Sequence, residues 1–504
     1  HTPLSRSILD RTRPPTALPA DFLTRNQNWL RRRFSSLLSR HPMQGSSLFK
    51  ARFASGVPTV LFLCDRLPHR SLGSPHLRRQ DLVLALSQKG HHVTVFPIDG
   101  DVTDTVTTAL DFPADIEIMN DSDITELSDF LRDRSGSFDM IWVSGSSALR
   151  RTATVLRAHA ATLPELNIVL DLDGTGAEET YLRKRVGAVD DREQMLDDLD
   201  QELADAWMCQ VLVTSHEAEA DSLRQLGYGN VRQLDQLPVT PLASTPGFSE
   251  RSGILFALPV LDAGNAVHDG LNWFMLDVIQ KLEGRLPPDA TVLIAGQIGD
   301  EVDLTPYTRA SLVEPLPSLV NMSALYRSRR ILVDPSRVMS ASAKEILEAA
   351  AAGLPAVLTE TTRAQLNWDD GKDCVSGGFC DPDRFADAIV RLYQDQALSN
   401  EISNQSRHTV SETSKAIRFD QQLNAILALA SGQDALPAQS HPPRMIRQNK
   451  PAGPIAPAPI RLQPRKISDT PTPAPIPDDE DHGDVASAKT LAPRVGISLP
   501  LSEL

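Results

Sequence analysis

Short apolar runs alternate with amphipathic stretches from Thr59 to about residue 430, and that alternation predicts repeated strand–helix units. In the first half, Thr59–Cys64, His92–Phe96, Ile116–Met119, Met140–Val143, Ile168–Leu172 and Val211–Thr214 read as strands. The segments between them read as helices: His76–Lys89, Ser122–Arg132, Ala148–Ala161, an acidic stretch from about Asp190 to Trp207, and His216–Leu226. A second series starts at Gly253. Its strands are Ile254–Leu258, Thr291–Ala295, Ser311–Glu314, Ile331–Val333 and Pro355–Leu358, with helices at Asp269–Leu282 and Leu316–Ser328. Helices at Pro382–Gln394, Asn400–Thr409 and Ile417–Ala430 close the series. Strand–helix repeats of this kind imply parallel sheets covered on both faces. The expected fold is therefore α/β, with two Rossmann-like doubly wound domains, residues 57–237 and 251–430, facing a cleft. The Pro-rich segment 238–250 links them.

The ends break the pattern. Residues 1–56 are rich in Arg, Ser and Pro, and within them Asp21–Arg40 can form a helix with Leu23, Leu30, Phe34, Leu37 and Leu38 near one face, beside Arg31, Arg32 and Arg33. A basic amphipathic helix of this type suits an anionic membrane surface; the alternatives are packing on the main body or a linker role. Residues 431–504 are Pro-rich and poor in large apolar side chains, a composition that predicts disorder. The chain begins at His1 rather than Met, as a piece of a longer polypeptide would.

A net charge of −15 argues against a dedicated nucleic-acid binder. Cys64, Cys209, Cys374 and Cys380 are scattered, which predicts reduced cytoplasmic thiols rather than a disulfide framework or a zinc site. No apolar run is long enough to span a bilayer and no secretory signal is visible.

The stretch Arg330–Glu360 concentrates the candidate chemistry. It reads as strand, polar loop, helix, a stop at Gly353 with Pro355 following, and strand. Ser342 reads as the helix N-cap, with Glu345 three residues on. Such a unit aims a loop and a helix N-terminus at the carboxyl edge of a parallel sheet, where anionic ligands bind. In the first domain, the loop after Cys64 holds Arg66, Gly73 and Ser74 but no G-x-G-x-x-G, which weakens a nicotinamide reading. After Val143 comes S-G-S-S, with Ser144 and Ser146 and no histidine, so no catalytic base is assigned there.

Several of these pieces together resemble a GT-B-fold glycosyltransferase of family 4, the group 1 type. They are V-L-F-L-C-D-R-L-P-H-R-S-L-G-S near the start, H-D-G-L-N-W-F at His268–Phe274, L-I-A-G at Leu293, L-Y-R-S-R-R-I-L-V-D-P-S-R from Leu325, and E-A-A-A-A-G-L-P from Glu348. The resemblance covers about Thr59–Ala430. It implies transfer, with retention of configuration and without a bound metal or other cofactor, of a hexose-like unit to a glycan or lipid-linked acceptor. Such a reaction would serve cell-surface polysaccharide synthesis at the cytoplasmic side of the membrane.

The resemblance also assigns roles. Glu348 would accept hydrogen bonds from the donor ribose, and Arg337, Ser342 and Lys344 would meet the diphosphate. Gly73, Ser74 and Arg66 would approach the phosphate and acceptor from the first domain, with Ser144 and Ser146 on the acceptor side. The family has a second glutamate eight positions before the one at Glu348, and here that position is Ser340. That departure leaves open a catalytically degenerate module that binds a nucleotide, a glycan or a partner. A minor alternative is an aspartyl-phosphate phosphatase at N-I-V-L-D-L-D-G-T, with Asp171 as nucleophile and Asp173 as acid/base.

Overall fold

The computed structural model describes residues 28–35, 57–100, 105–120, 122–160, 167–242, 244–257, 264–288, 290–296, 299, 302–303, 305–307, 312–316, 322–338, 343–413 and 416–431. Ser340, Ser342 and the Pro-rich tail lie outside these residues.

Seven strands build the first sheet: β1 (Thr59–Cys64), β2 (His92–Pro97), β3 (Glu117–Ile118), β4 (Met140–Ser144), β5 (Asn167–Leu172), β6 (Val211–Thr214) and β7 (Val231–Gln233). Their order is β3-β2-β1-β4-β5-β6-β7, and β1 runs parallel to both β2 and β4. Six more form the second sheet: β8 (Ile254–Ala257), β9 (Val292–Ala295), β10 (Val313–Leu316), β11 (Ile331–Asp334), β12 (Ala356–Leu358) and β13 (Val375–Ser376). Their order is β10-β9-β8-β11-β12-β13, with β8 parallel to both β9 and β11. Strand order reverses between β1 and β4, and again between β8 and β11. Ligand crevices in open parallel sheets lie at such reversals, beyond the carboxyl ends of the strands. The loops after β1 and β11 are therefore the places to look for a site.

Period-two burial explains why β1 is apolar throughout. Leu61 and Leu63 face one core, with Ile141 and Leu170; Val60, Phe62 and Cys64 face the other. That second core is closed by the last helix, Ala416–Ala430, through Phe419, Leu423 and Ile426. The end of the chain thus returns to the first sheet, whereas the sequence division at residue 430 assigns it to the second domain. Its apolar stripe predicts burial but does not say against which sheet.

Most strand positions agree with expectation to within two residues. β7 and β13 were not expected; with three and two residues they are too short to stand out as apolar runs. The continuous helix expected over Asp269–Leu282 is instead a helix at Ala266–Trp273, a π-turn at Phe274–Val278 and a 3₁₀ turn at Ile279–Lys281. Trp273, Phe274 and Met275 are adjacent and all buried. A widened turn lets more neighbouring side chains face one core than a regular 3.6-residue helix does.

Residues 28–33 are helical, and every side chain from Asn28 to Ser35 is exposed. The remainder of the expected 21–40 helix lies outside the described residues. Among the described residues, no helix is long and apolar enough to cross a membrane.

Leu423 is fully buried against the first sheet. Leu423→Ala should cost about 2–5 kcal/mol, read as faster amide exchange in β1 and β4 with β9 unchanged. Equal acceleration in β9 would place the last helix on the wrong lobe.

Candidate active site

Two elements meet across the gap between the lobes: the loop leaving β1 and the helix Lys344–Ala351. That helix is built from good formers, K-E-I-L-E-A-A-A. It ends where Gly353 turns at φ 71°, with amide bonds from Gly353 to Ala350 (2.8 Å) and from Leu354 to Ala349 (2.9 Å). A Cβ on Gly353 would come within 2.8 Å of Thr245, so glycine is required on both counts. The Arg251 guanidinium caps the last carbonyls, of Gly353 at 2.5 Å and Ala352 at 2.8 Å.

The start of this helix differs from the sequence expectation. The residue preceding it is Ala343, which offers no capping side chain. The cap comes from the other lobe: the Lys344 amide donates to Ser74 Oγ at 3.2 Å. Ser74 in turn donates from its amide (2.5 Å) and hydroxyl (2.7 Å) to the Glu345 carboxylate. Gly73, at φ 67°, supplies the left-handed turn that delivers Ser74 to this position. The Lys344 ammonium pairs with Asp81, and Arg70 donates to Glu348. Ser74, Asp81, Lys344 and Glu345 are all less than one-tenth exposed. Burial, only partly offset by Glu348, draws the Lys344 ammonium down to about 8. Burial also raises Glu345 above the usual carboxylate range, against the Ser74 hydrogen bonds.

Glu348 therefore faces the gap, with Arg70 of the first lobe on its carboxylate. Tyr326 lies close by, its buried hydroxyl without a hydrogen-bond partner among the described residues. Burial, then the charges of Glu348 and Glu345, push that phenol well above its ordinary value. Arg337 does not share this cluster: it holds Asp269 through two bonds of 3.1 and 2.8 Å and lies over the Trp273 ring at 5.3 Å. Arg66 sits beside His76, whose imidazole is lowered to about 3 by burial, then by Arg79 and Arg66. In the first lobe, Ser144 ends β4 fully enclosed, and Ser146 donates its hydroxyl to Glu202. Arg70, Asp81 and Tyr326 were absent from the sequence assignment. Tyr326 lies inside the quoted L-Y-R-S-R-R run and Arg70 inside the quoted run that ends at Ser74, but Asp81 carries no local signal.

A second polar cluster lies at the carboxyl ends of β5 and β6. Arg78 grips both oxygens of Asp171, at 2.9 and 2.7 Å, and reaches the Leu234 carbonyl at 3.3 Å. Burial works against the Arg78 charge, but Asp171, Asp173 and Glu219 outweigh it and raise its pKa. An aspartate clamped in this way is not presented as a nucleophile, so the phosphatase alternative loses its central residue. Ser215 Oγ bonds Asp173 at 3.0 Å and meets His216 Nδ1 at 3.1 Å. Glu219 accepts from Thr214 through one oxygen; the other is buried without a partner among the described residues. Burial, then the neighbouring Glu178 charge, raises Glu219 to about 8, and burial raises Glu178 to about 7.

Residues 260–395 match the sequence profile described as glycosyl transferases group 1. Among solved structures, Anabaena Alr3699/HepE in complex with UDP-glucose aligns with a TM-score of 0.55 at 13% identity, over 73% of this chain and 99% of that one. The chain has a GT-B fold. Sucrose-phosphate synthase from Thermosynechococcus elongatus gives a TM-score of 0.55 at 14% identity, over 74% of this GT-B chain and 99% of its own. The glycosyltransferase from Rickettsia africae ESF-5 gives 0.50 at 13%, over 74% and 99%. No curated protein matches the sequence.

Raised acids fix a sign for the pH dependence. Folded Glu219 keeps a proton that the unfolded chain releases near 4.5, so its stabilisation is complete below that pH and is lost as pH rises through about 8. Melting temperature should fall from pH 5 to pH 8, and Glu219→Gln should flatten that slope. Parallel slopes for the two proteins would contradict the assignment.

Proposed function

We propose that the chain transfers a hexose-like unit from a nucleotide diphosphate sugar to a glycan or lipid-linked acceptor, with retention of configuration, in cell-surface polysaccharide synthesis. Glu348 carries the reading: it is a carboxylate on the second lobe, beside the β8/β11 strand reversal, facing the gap with a basic residue of the first lobe as partner. A carboxylate so placed can accept hydrogen bonds from two ribose hydroxyls. The amides opening the Lys344–Ala351 helix, with Lys344 and Arg337, would stabilise charge on the leaving diphosphate without a bound metal. Gly73 and Ser74 would approach from the first lobe. Acceptors would enter along the loops after β1 and β4, and lobe closure would bring them against the anomeric carbon while excluding water.

A second reading, a binding module without turnover, has its own support. Three cations at the cleft already hold carboxylates: Arg337 with Asp269, Lys344 with Asp81, and Arg70 with Glu348. A donor screen separates the two readings. Sugar release or transfer from one donor supports the enzyme; nucleoside diphosphate binding without turnover across the panel supports the module. In either case Glu348→Ala should weaken nucleotide binding about tenfold or more, the scale of a hydrogen bond to a charged group. Unchanged affinity, measured by calorimetry, would mean that Glu348 is not the ribose acceptor.

The reading extends to a membrane surface at its cytoplasmic side. Residues 1–56 carry ten lysines and arginines against two aspartates, although the whole chain is acidic. Within them Trp29, Leu30 and Phe34 are exposed at 58, 46 and 40% beside exposed Arg31, Arg32 and Arg33. Apolar anchors with flanking cations suit anionic lipid. The full chain should float with phosphatidylglycerol vesicles but not with phosphatidylcholine vesicles, and the Trp29→Ala/Phe34→Ala variant should remain in the pellet fraction. Equal flotation of parent and variant would reject this surface.

A further inference from the structure

The groups that would receive the donor are occupied by the protein itself. The first three amides of the Lys344–Ala351 helix are all satisfied. That of Lys344 bonds Ser74 Oγ at 3.2 Å, that of Glu345 bonds its own carboxylate, and that of Ile346 bonds the Ala343 carbonyl at 3.1 Å. Glu345 places its own carboxyl group at a helix end that would otherwise attract an anion. Asp81 neutralises Lys344, and Arg70 covers Glu348. The cavity left beside this contact, lined by Asp334, Ser336, Ala343 and Glu345 among others, measures about 20 Å³. Sites for ligands of nucleotide-sugar size run to about 300–1,000 Å³. A second seam joins the lobes where Leu182 packs on Ala266 and Val338 and Arg183 donates to the Gly264 carbonyl at 3.2 Å.

We propose that the donor-free chain locks its own cleft. Ser74, Asp81 and Arg70 of the first lobe bind the helix start, Lys344 and Glu348 of the second, and a nucleoside diphosphate must displace them to enter. The inference rests on the donor reading above. It adds that the same groups alternate between two partners, one within the chain and one on the donor. Both cannot be served at once: the Ser74 hydroxyl takes the Lys344 amide that a phosphate oxygen would take, and Arg70 takes the Glu348 carboxylate that the ribose would take.

Two consequences follow. Nucleotide affinity is reduced by the fraction of molecules in the locked state, so loosening the lock tightens binding with no new contact to the ligand. Donor binding also releases Arg70 and Asp81 toward the cleft. A carboxylate and a guanidinium are then freed on the acceptor side only when donor is present, which orders binding as donor first and acceptor second.

The test uses the full chain with Asp81→Asn and Arg70→Gln, the second at a half-exposed residue. Amide exchange of the peptide spanning residues 343–352 reports the lock, and calorimetry with uridine and guanosine diphosphates reports affinity. The expected result is exchange about tenfold faster at the helix start and, for the diphosphate that the parent binds, about tenfold tighter binding. Unchanged exchange in both variants overturns the lock. Faster exchange with equal or weaker affinity overturns the competition while leaving the donor reading intact. If neither diphosphate binds the parent or any variant, the donor reading fails and the competition fails with it.

Discussion

A helix that begins at the carboxyl edge of a parallel sheet leaves its first amides unpaired, and something must satisfy them. In this chain the partner is Ser74, on the facing lobe, supported by Gly73 and answered by Glu345. The remaining geometry of the gap follows from that contact. It fixes the distance between the two strand reversals, buries Lys344 and Asp81 together, and brings Arg70 over Glu348. Buried charges are costly unless paired, and this seam pairs Lys344 with an aspartate more than two hundred positions away.

The fold was largely legible because both sheets are parallel and covered on both faces. Each central strand then reads as an unbroken apolar run: T-V-L-F-L-C and V-L-I-A need no partner information to be recognised. Periodicity does not report what an apolar face packs against, so the last helix was assigned to the wrong sheet. It also does not report local widening, so the π-turn after Trp273 was read as regular helix. Glu348 was singled out because the order glutamate, helix, glycine, proline is local. Lys344 was named as a cation for phosphate, but Asp81 lies far away in sequence and had no mark of its own. Capping was assigned to Ser342 because capping is usually local; here the described cap crosses between lobes.

On the donor reading proposed above, the electrostatics of the cleft fit a site held in reserve rather than an open one. Arg337, Lys344 and Arg70 each carry a carboxylate already, and the acid cluster at Glu219 and Glu178 keeps protons near neutral pH. These three cleft cations are therefore already paired before any ligand arrives. An anionic ligand entering such a site gains little from simple attraction. It must instead exchange partners with groups that are already satisfied, which selects for a ligand that offers phosphate oxygens and vicinal hydroxyls together.

The decisive measurement is a crystal structure of the chain with the nucleoside diphosphate that binds it. The account predicts phosphate oxygens at the amides of Lys344 and Glu345, ribose hydroxyls on Glu348, and Ser74 withdrawn from the helix start. A nucleotide seated elsewhere, or one bound while Ser74 still holds Lys344 and Glu345, would contradict it.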